Sequence, residues 1–151
     1  MAAWPKDTVA AKIAFYGDPR GPHGVNETWF SNNVVRVVPP WKMFYAGKPI
    51  ALIAFHKKCA PALAAALDEI WTACGKDQAA IVKAGLQEYG RSFNHRLIRG
   101  RSEISNHSFA IAIDIGKPSH SITVSALDDS ATARAPWYPS VSGRLVDRLR
   151  V

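Results

Sequence analysis

His107 and Asp114 are two side chains whose types and spacing could hold a metal ion. They lie in the segment SNHSFAIAID, residues 105–114, with six residues between them. A neutral imidazole and a carboxylate are both good zinc ligands. On one straight strand the two residues would be about 23 Å apart, at roughly 3.3 Å per residue. The chain must therefore fold back if they share a metal ion, and we predict the turn at Ser108 to Ala110.

The residues that follow His107 alternate in size. Small residues, Ala110 and Ala112, share one face with Asp114, and the other face is bulky and apolar, with Phe109, Ile111, Ile113 and Ile115. This alternation predicts a strand over residues 110–115 that packs one face on the core and leaves room beside Asp114. Histidines near strands and aspartates at strand ends also serve as hydrogen-bonded or capping residues, so the pair alone leaves a structural role open.

The same segment resembles a known pattern, Ser-x-His-x-x-Gly-x-Ala-x-Asp. It belongs to the D-alanyl-D-alanine carboxypeptidase family of zinc metallopeptidases, which includes vancomycin-resistance D,D-peptidases and phage L-alanyl-D-glutamate endolysins. Four positions match, Ser105, His107, Ala112 and Asp114, while Ala110 stands where the pattern has Gly. Upstream stretches at 40–41, 56–59, 75–79 and 89–96 are also similar to phage-type members, so the resemblance covers roughly residues 13–116.

This resemblance implies a zinc-dependent hydrolase acting on peptidoglycan stem peptides, either as a D,D-carboxypeptidase or as an L-alanyl-D-glutamate endopeptidase. His107 and Asp114 would be the first two ligands of Zn²⁺. Arg96 would be a catalytic residue that stabilises the negative charge developing on the scissile carbonyl. Ser105 would support the motif or help to hold the substrate, and Gln78 would contribute to the wall of the site.

The sequence departs from the family after Asp114. The family carries a second histidine ligand and a catalytic carboxylate near the end of its domain. Here the next histidine is His120, which falls too early, and the later carboxylates, Asp128, Asp129 and Asp147, do not stand beside a histidine. Three explanations fit: a truncated family member, a shifted reading frame in the tail, or His120 acting as a ligand in an altered site. If the chain is inactive, the alternative function is a non-catalytic cell-wall-binding relative of these peptidases.

The elements around the motif predict an α+β fold with a small antiparallel sheet and helices packed on one side, as in D,D-peptidase-like zinc domains. The β-branched run Val34–Val38 and the run Ile50–Phe55 favour strands. Helical spacing of apolar residues predicts a helix over 60–74, and Asp77 can cap a second helix, Gln78–Leu86. Tyr89-Gly90 is expected to begin a polar, basic loop.

Composition divides the chain into three parts. Residues 1–33 are rich in turn-forming residues and read as a loop-rich lead-in, residues 34–116 as the peptidase-like core, and residues 117–151 as a divergent tail. Cys59 and Cys74 would lie about 22 Å apart on a helix. A disulfide needs Cα atoms within about 7 Å, so we expect two small buried side chains instead.

A net charge of +7 favours a polyanionic partner, either an anionic cell wall or nucleic acid. The basic stretch 91–101, with Tyr89 and Phe93 nearby, could stack on bases, but no recognised nucleic-acid motif is present, so we do not expect a nucleic-acid partner. We predict no membrane partner, because no stretch approaches the roughly 20 apolar residues of a membrane helix. The N-terminus lacks a signal-peptide pattern. We therefore expect a protein that stays cytoplasmic until released, or acts at the cell wall. We also expect a monomer.

Overall fold

The computed structural model describes residues 4–116 and the backbone of residues 122–125 of this 151-residue chain. Its N-terminal part is more regular than the turn-rich sequence suggests. Thr8 caps helix α1, Val9–Tyr16, and Asn26 caps helix α2, Glu27–Asn33, each by accepting a backbone N–H with its side-chain oxygen. The Gly- and Pro-rich residues between them form a small hairpin, β1 (Arg20–Gly21) and β2 (Gly24–Val25). The prediction of a loop-rich lead-in is wrong in this respect, because two capped helices form here and bury Tyr16 and Trp29.

Two further antiparallel pairs follow. Strand β3, Val34–Val37, pairs with β6, Ile53–His56, while β4, Met43–Tyr45, pairs with β5, Lys48–Ile50. The strand predicted at Val34 is confirmed. The strand predicted over Ile50–Phe55 is instead divided between β5 and β6, which belong to different sheets. A two-residue turn at Ala46-Gly47, with φ of 48° and 78°, closes the β4–β5 hairpin.

The two central helices agree closely with their predicted ranges. Helix α3 runs over Ala60–Ala73 with Pro61 in its first turn, and helix α4 runs over Gln78–Ala84. The Asp77 carboxylate accepts hydrogen bonds from two backbone N–H groups at the start of α4. Cys59 and Cys74 are both free thiols, and the expectation of buried side chains is confirmed for Cys59 but wrong for Cys74, which is only half-buried.

The last sheet carries the candidate motif. Strand β8, Ala112–Ile115, lies between β7, Tyr89–Arg91, and β9, Ile122–Ser125, and both pairings are antiparallel. The prediction that Tyr89-Gly90 begins a loop is wrong, because these residues pair with β8 around a bulge. A parallel bridge between Phe44 and Glu88 links this sheet to the β4–β5 hairpin. The fold is α+β, but the described strands form four small antiparallel sheets where one was expected.

The core draws on the whole described chain. Tyr16 of α1 lies in one buried cluster with side chains of β6, α3 and β8, and its ring packs against His56 and Phe109, so the N-terminal segment belongs to the same core as residues 34–116. Ile111, Ile113, Ala110 and Ala112 are all fully buried, which means that both faces of this segment are covered. The expected tail, residues 117–151, lies outside the described residues apart from the β9 backbone. No helix in the described part of the chain is both long and apolar enough to cross a membrane.

His56 is a buried titratable group that the fold holds neutral. Its Nε2 lies 3.1 Å from the Tyr16 carbonyl oxygen, and its Nδ1 accepts a hydrogen bond from the Lys58 N–H. Since a carbonyl can only accept, Nε2 carries the proton and the imidazole is uncharged. Burial, more than any other cause, lowers the pKa of His56 to about 4.

We expect His56 to make the protein acid-sensitive. Its folded pKa lies below its unfolded pKa of about 6.5, so its contribution is present above pH 6.5 and is lost as the pH falls towards about 4. A difference of this size is worth about 3 kcal/mol of unfolding free energy. Urea unfolding of His56→Gln should show a flatter pH dependence than wild type between these values. His23→Gln, at an exposed histidine, should keep the wild-type slope, and equal slopes in all three proteins would contradict the assignment.

Candidate metal centre

A short 3₁₀ helix, Asn106–Phe109, reverses the chain between the two candidate ligands. Ser105 caps it, because its Oγ accepts the His107 N–H at 3.3 Å. Ala110 ends it in the left-handed region at φ 54°, with its N–H donating to the His107 carbonyl at 3.1 Å. The turn predicted at Ser108 to Ala110 is confirmed.

The reversal brings the two side chains together. His107 Nε2 lies 3.5 Å from Asp114 Oδ2. The His107 side chain is 6% exposed and that of Asp114 is 30% exposed. The imidazole is therefore held in the interior, while the carboxylate opens the pair to solvent on one side.

The tautomer of His107 is fixed from behind. Its Nδ1 lies 3.0 Å from the backbone carbonyl oxygen of Ser92, a buried contact. A carbonyl oxygen can only accept, so Nδ1 carries a proton, and the ring in its neutral form presents a lone pair on Nε2. That lone pair faces a carboxylate oxygen, so the contact is repulsive unless a proton or a metal cation lies between the two atoms.

The pair fits a zinc ion by chemistry and by spacing. Two tetrahedral ligands with bonds of about 2.0–2.1 Å have donor atoms about 3.3 Å apart, close to the observed 3.5 Å. A backbone carbonyl bonded to the far nitrogen of a histidine is also the usual support for a metal ligand. Within the described residues no group of three His, Cys, Asp or Glu side chains could hold a metal ion. A third ligand would have to come from elsewhere in the chain, and His120 lies outside the described residues.

Strand β7 approaches the pair at a glycine. A Cβ on Gly90 would lie 2.7 Å from the Asp114 Cβ, closer than real Cβ atoms come. Beside it, the Tyr89 hydroxyl is 2.6 Å from Ser92 Oγ, and burial raises the pKa of Tyr89. The backbone that supplies the Ser92 carbonyl is therefore packed against β8 and anchored by a side chain on the same strand.

The N-terminal helix supports the turn from the other side. Lys12, only 4% exposed, donates from Nζ to Asn106 Oδ1 at 2.8 Å and to Asp7 Oδ1 at 2.9 Å. Asn106 immediately precedes His107, so a buried cation connects α1 to the motif. A buried ammonium needs such partners because desolvation otherwise opposes its charge.

The other predicted site residues differ in whether hydrogen bonds connect them to the motif. Arg96 is joined to it by backbone, because its N–H donates to Ser108 Oγ at 2.9 Å, whereas its guanidinium is exposed and bonds the Leu97 carbonyl. Ser105 caps the turn. The Gln78 amide is bonded to both backbone groups of Lys42, at 2.9 and 3.0 Å, and in the described chain no hydrogen bond joins it to the pair. Substrate contacts by Ser105 and Gln78 and catalysis by Arg96 stay predictions.

Sequence reasoning missed three contributors, Ser92, Gly90 and Lys12. Ser92 acts through its backbone carbonyl, which no side-chain pattern reveals. Gly90 carried a usable signal, since a glycine inside a strand often marks a close backbone approach. Lys12 is 94 residues away from Asn106, and no local pattern could have connected them.

Comparison with known proteins gave no match: no family model matches the chain, and neither a curated protein nor a solved structure does.

We expect a β-branched side chain at position 110 to lower the free energy of unfolding. A left-handed φ of 54° is a genuine outlier for valine. The site is also fully buried. Ala110→Val should lower the unfolding free energy by about 3 kcal/mol, through strain and overpacking. Ala110→Gly should change it by less than about 1 kcal/mol, since relief of strain offsets the lost methyl burial. Urea unfolding of both variants checks this, and a fully stable valine variant would contradict the turn geometry.

Gly90→Ala should disturb the site itself. The new methyl cannot share space with the Asp114 Cβ, so β7 or β8 must shift, at a cost of about 1–3 kcal/mol. The control is Ser102→Ala, at an exposed position. A second glycine next to the sheet, Gly116, would not serve as a control, because its positive φ would strain an alanine. Two-dimensional NMR should show the largest shifts in Gly90→Ala at His107 and Asp114, and an unchanged spectrum there would contradict the close approach.

Proposed function

We propose that this protein is a zinc-dependent peptidase that acts on peptidoglycan stem peptides. The observation that carries the proposal is the 3.5 Å approach of the His107 Nε2 lone pair to an Asp114 carboxylate oxygen, with the Ser92 carbonyl fixing the tautomer. Two acceptors held face to face need either a proton or a metal cation between them, and both side chains are good zinc ligands. The resemblance of residues 105–114 to the metallopeptidase pattern supplies the choice of metal and substrate.

The left-handed Ala110 adds support to that resemblance. The family pattern has Gly at this position, and glycine adopts positive φ without strain. Here the backbone takes the same kind of conformation, φ 54°, with an alanine. The departure from the pattern thus keeps the conformation that a glycine would favour.

Each residue of the proposed site has a definite task. His107 and Asp114 would hold the metal, with Ser92 and the Ser105 cap fixing the imidazole in place. Zinc bound at such a site supplies Lewis-acid polarisation of a carbonyl and an activated water. Arg96 would place its exposed guanidinium on the developing negative charge of the scissile group, beside the motif to which its backbone is tied.

A second function is favoured by one observation. The described residues contain no group of three metal ligands, and a catalytic zinc site needs three protein ligands with one open position. A non-catalytic relative that binds cell-wall peptides would need no complete metal site. Binding to purified peptidoglycan without turnover is its distinguishing property.

The zinc content of the purified chain tests the first proposal. We expect near one zinc per chain by elemental analysis, and His107→Ala should lose it because one ligand is removed. His23→Ala replaces an exposed histidine far from the motif in sequence and should keep the metal. His120→Ala should also lose it if that residue completes the site.

Cleavage is then measured on stem peptides by mass spectrometry. Release of a terminal D-alanine indicates the carboxypeptidase and cleavage after L-alanine indicates the endopeptidase, and chelation should stop either reaction. Wild-type protein that takes up no zinc and cuts no peptide, yet sediments with peptidoglycan, would replace the peptidase with the non-catalytic binding protein.

A further inference from the structure

A basic hairpin projects from the candidate metal centre, and we propose that it recognises the carboxylates of an acidic peptide substrate. This basic hairpin is residues 96–105, with arginines at positions 96, 99 and 101 and a single acidic residue, Glu103. The inference rests on the proposed function, because it assigns the part of the molecule that would select the stem peptide.

Backbone hydrogen bonds give the basic hairpin a defined shape. Leu97 and Ile104 form an antiparallel bridge, and the Ile98 N–H donates to the Glu103 carbonyl at 2.8 Å. At its tip the Arg101 N–H donates to the Ile98 carbonyl at 3.0 Å, and Gly100 takes the positive φ of 76° that such a turn requires. The arginines at 99 and 101 therefore flank a tight turn.

Both ends of the basic hairpin are fastened to the motif. The Ser105 N–H donates to the Arg96 carbonyl at 2.9 Å, and Ser108 Oγ bonds both the N–H and the carbonyl of Arg96. Ser105 in turn caps the 3₁₀ helix that carries His107. The backbone of the basic hairpin is therefore tied directly to the turn that carries His107.

Its positive charge is available to a ligand. Arg96, Arg99 and Arg101 are all exposed. Arg101 pairs loosely with Glu103 at 3.9 Å. Among the described residues, Arg96 and Arg99 have no carboxylate within 4 Å. Guanidinium groups bind carboxylates through paired N–H donors, which suits a substrate with several free carboxyl groups.

The neighbouring aromatic side chains favour a peptide over nucleic acid. Base stacking needs an open ring face. The Phe93 ring packs against Phe30 at 4.8 Å between centroids, and Tyr89 packs against Tyr45 while its hydroxyl bonds Ser92. The exposed apolar side chain of the basic hairpin is Leu97, 55% exposed, which suits an aliphatic peptide side chain.

Binding of a stem pentapeptide with a neutral fluorophore tests this by anisotropy, on full-length chain treated with chelator. Arg99→Gln/Arg101→Gln should bind about tenfold more weakly than wild type at low salt, since each exposed charge pair contributes about threefold. The loss should shrink near 0.5 M salt, where screening is strong. The same peptide with its carboxylates amidated should bind wild type and variant equally weakly.

The control variant is Lys48→Gln/Lys83→Gln, which removes the same charge from exposed positions outside the basic hairpin and should bind like wild type. Equal affinities of wild type and the arginine variant would overturn the inference, as would an equal loss in the lysine variant. Tighter binding of a single-stranded oligonucleotide, lost in the arginine variant, would also overturn it and indicate a nucleic-acid surface. The binding assay is independent of zinc, because the protein is treated with chelator. If the arginine variant binds more weakly but the wild-type protein takes up no zinc and cleaves no peptide, the proposed peptidase activity is wrong and the inference about the basic hairpin stands.

Discussion

The fixed tautomer of His107 is the constraint on which the candidate site depends. The Ser92 carbonyl requires a proton on Nδ1, so in the neutral ring the lone pair is on Nε2, 3.5 Å from Asp114 Oδ2. A free histidine could turn away from a carboxylate or donate to it. Here the 3₁₀ turn, the Ser105 cap and the burial of the ring hold Nε2 and the carboxylate together, so this point of the fold favours a proton or a metal cation between them.

Residues distant in sequence hold the turn between His107 and Asp114 in place. Lys12 reaches Asn106 from the first helix, and the His56 N–H donates to the Ala110 carbonyl at 2.8 Å from strand β6. Gly90 lets β7 come close enough to supply the Ser92 carbonyl. Strand β8 is central in its sheet, paired on both edges. Such a position limits the movement of Asp114 and suits a preorganised ligand better than a flexible loop would.

Exposure and positive charge both increase from His107 outwards to the basic hairpin. His107 is buried, Asp114 is partly open, and the basic hairpin beyond them is exposed and positively charged. An anionic substrate would contact the exposed arginines of the basic hairpin before it reached the His107–Asp114 pair. The same geometry would suit either proposed function, a binding protein or a peptidase, since the two would differ in the third ligand and the catalytic carboxylate.

The sequence by itself determined the helices α3 and α4, the strand at Val34 and the reversal between His107 and Asp114, because caps, apolar spacing and a simple length argument are local. It misjudged residues 1–33, where the Thr8 and Asn26 caps start helices among turn-forming residues, and it missed the strand at Tyr89. Only the tertiary structure decided the tautomer of His107, the role of Gly90 and the burial of Lys12. These features depend on a backbone carbonyl, a missing Cβ and an ammonium group, each of which contacts residues distant in sequence. The spacing of side chains along the sequence does not predict such contacts.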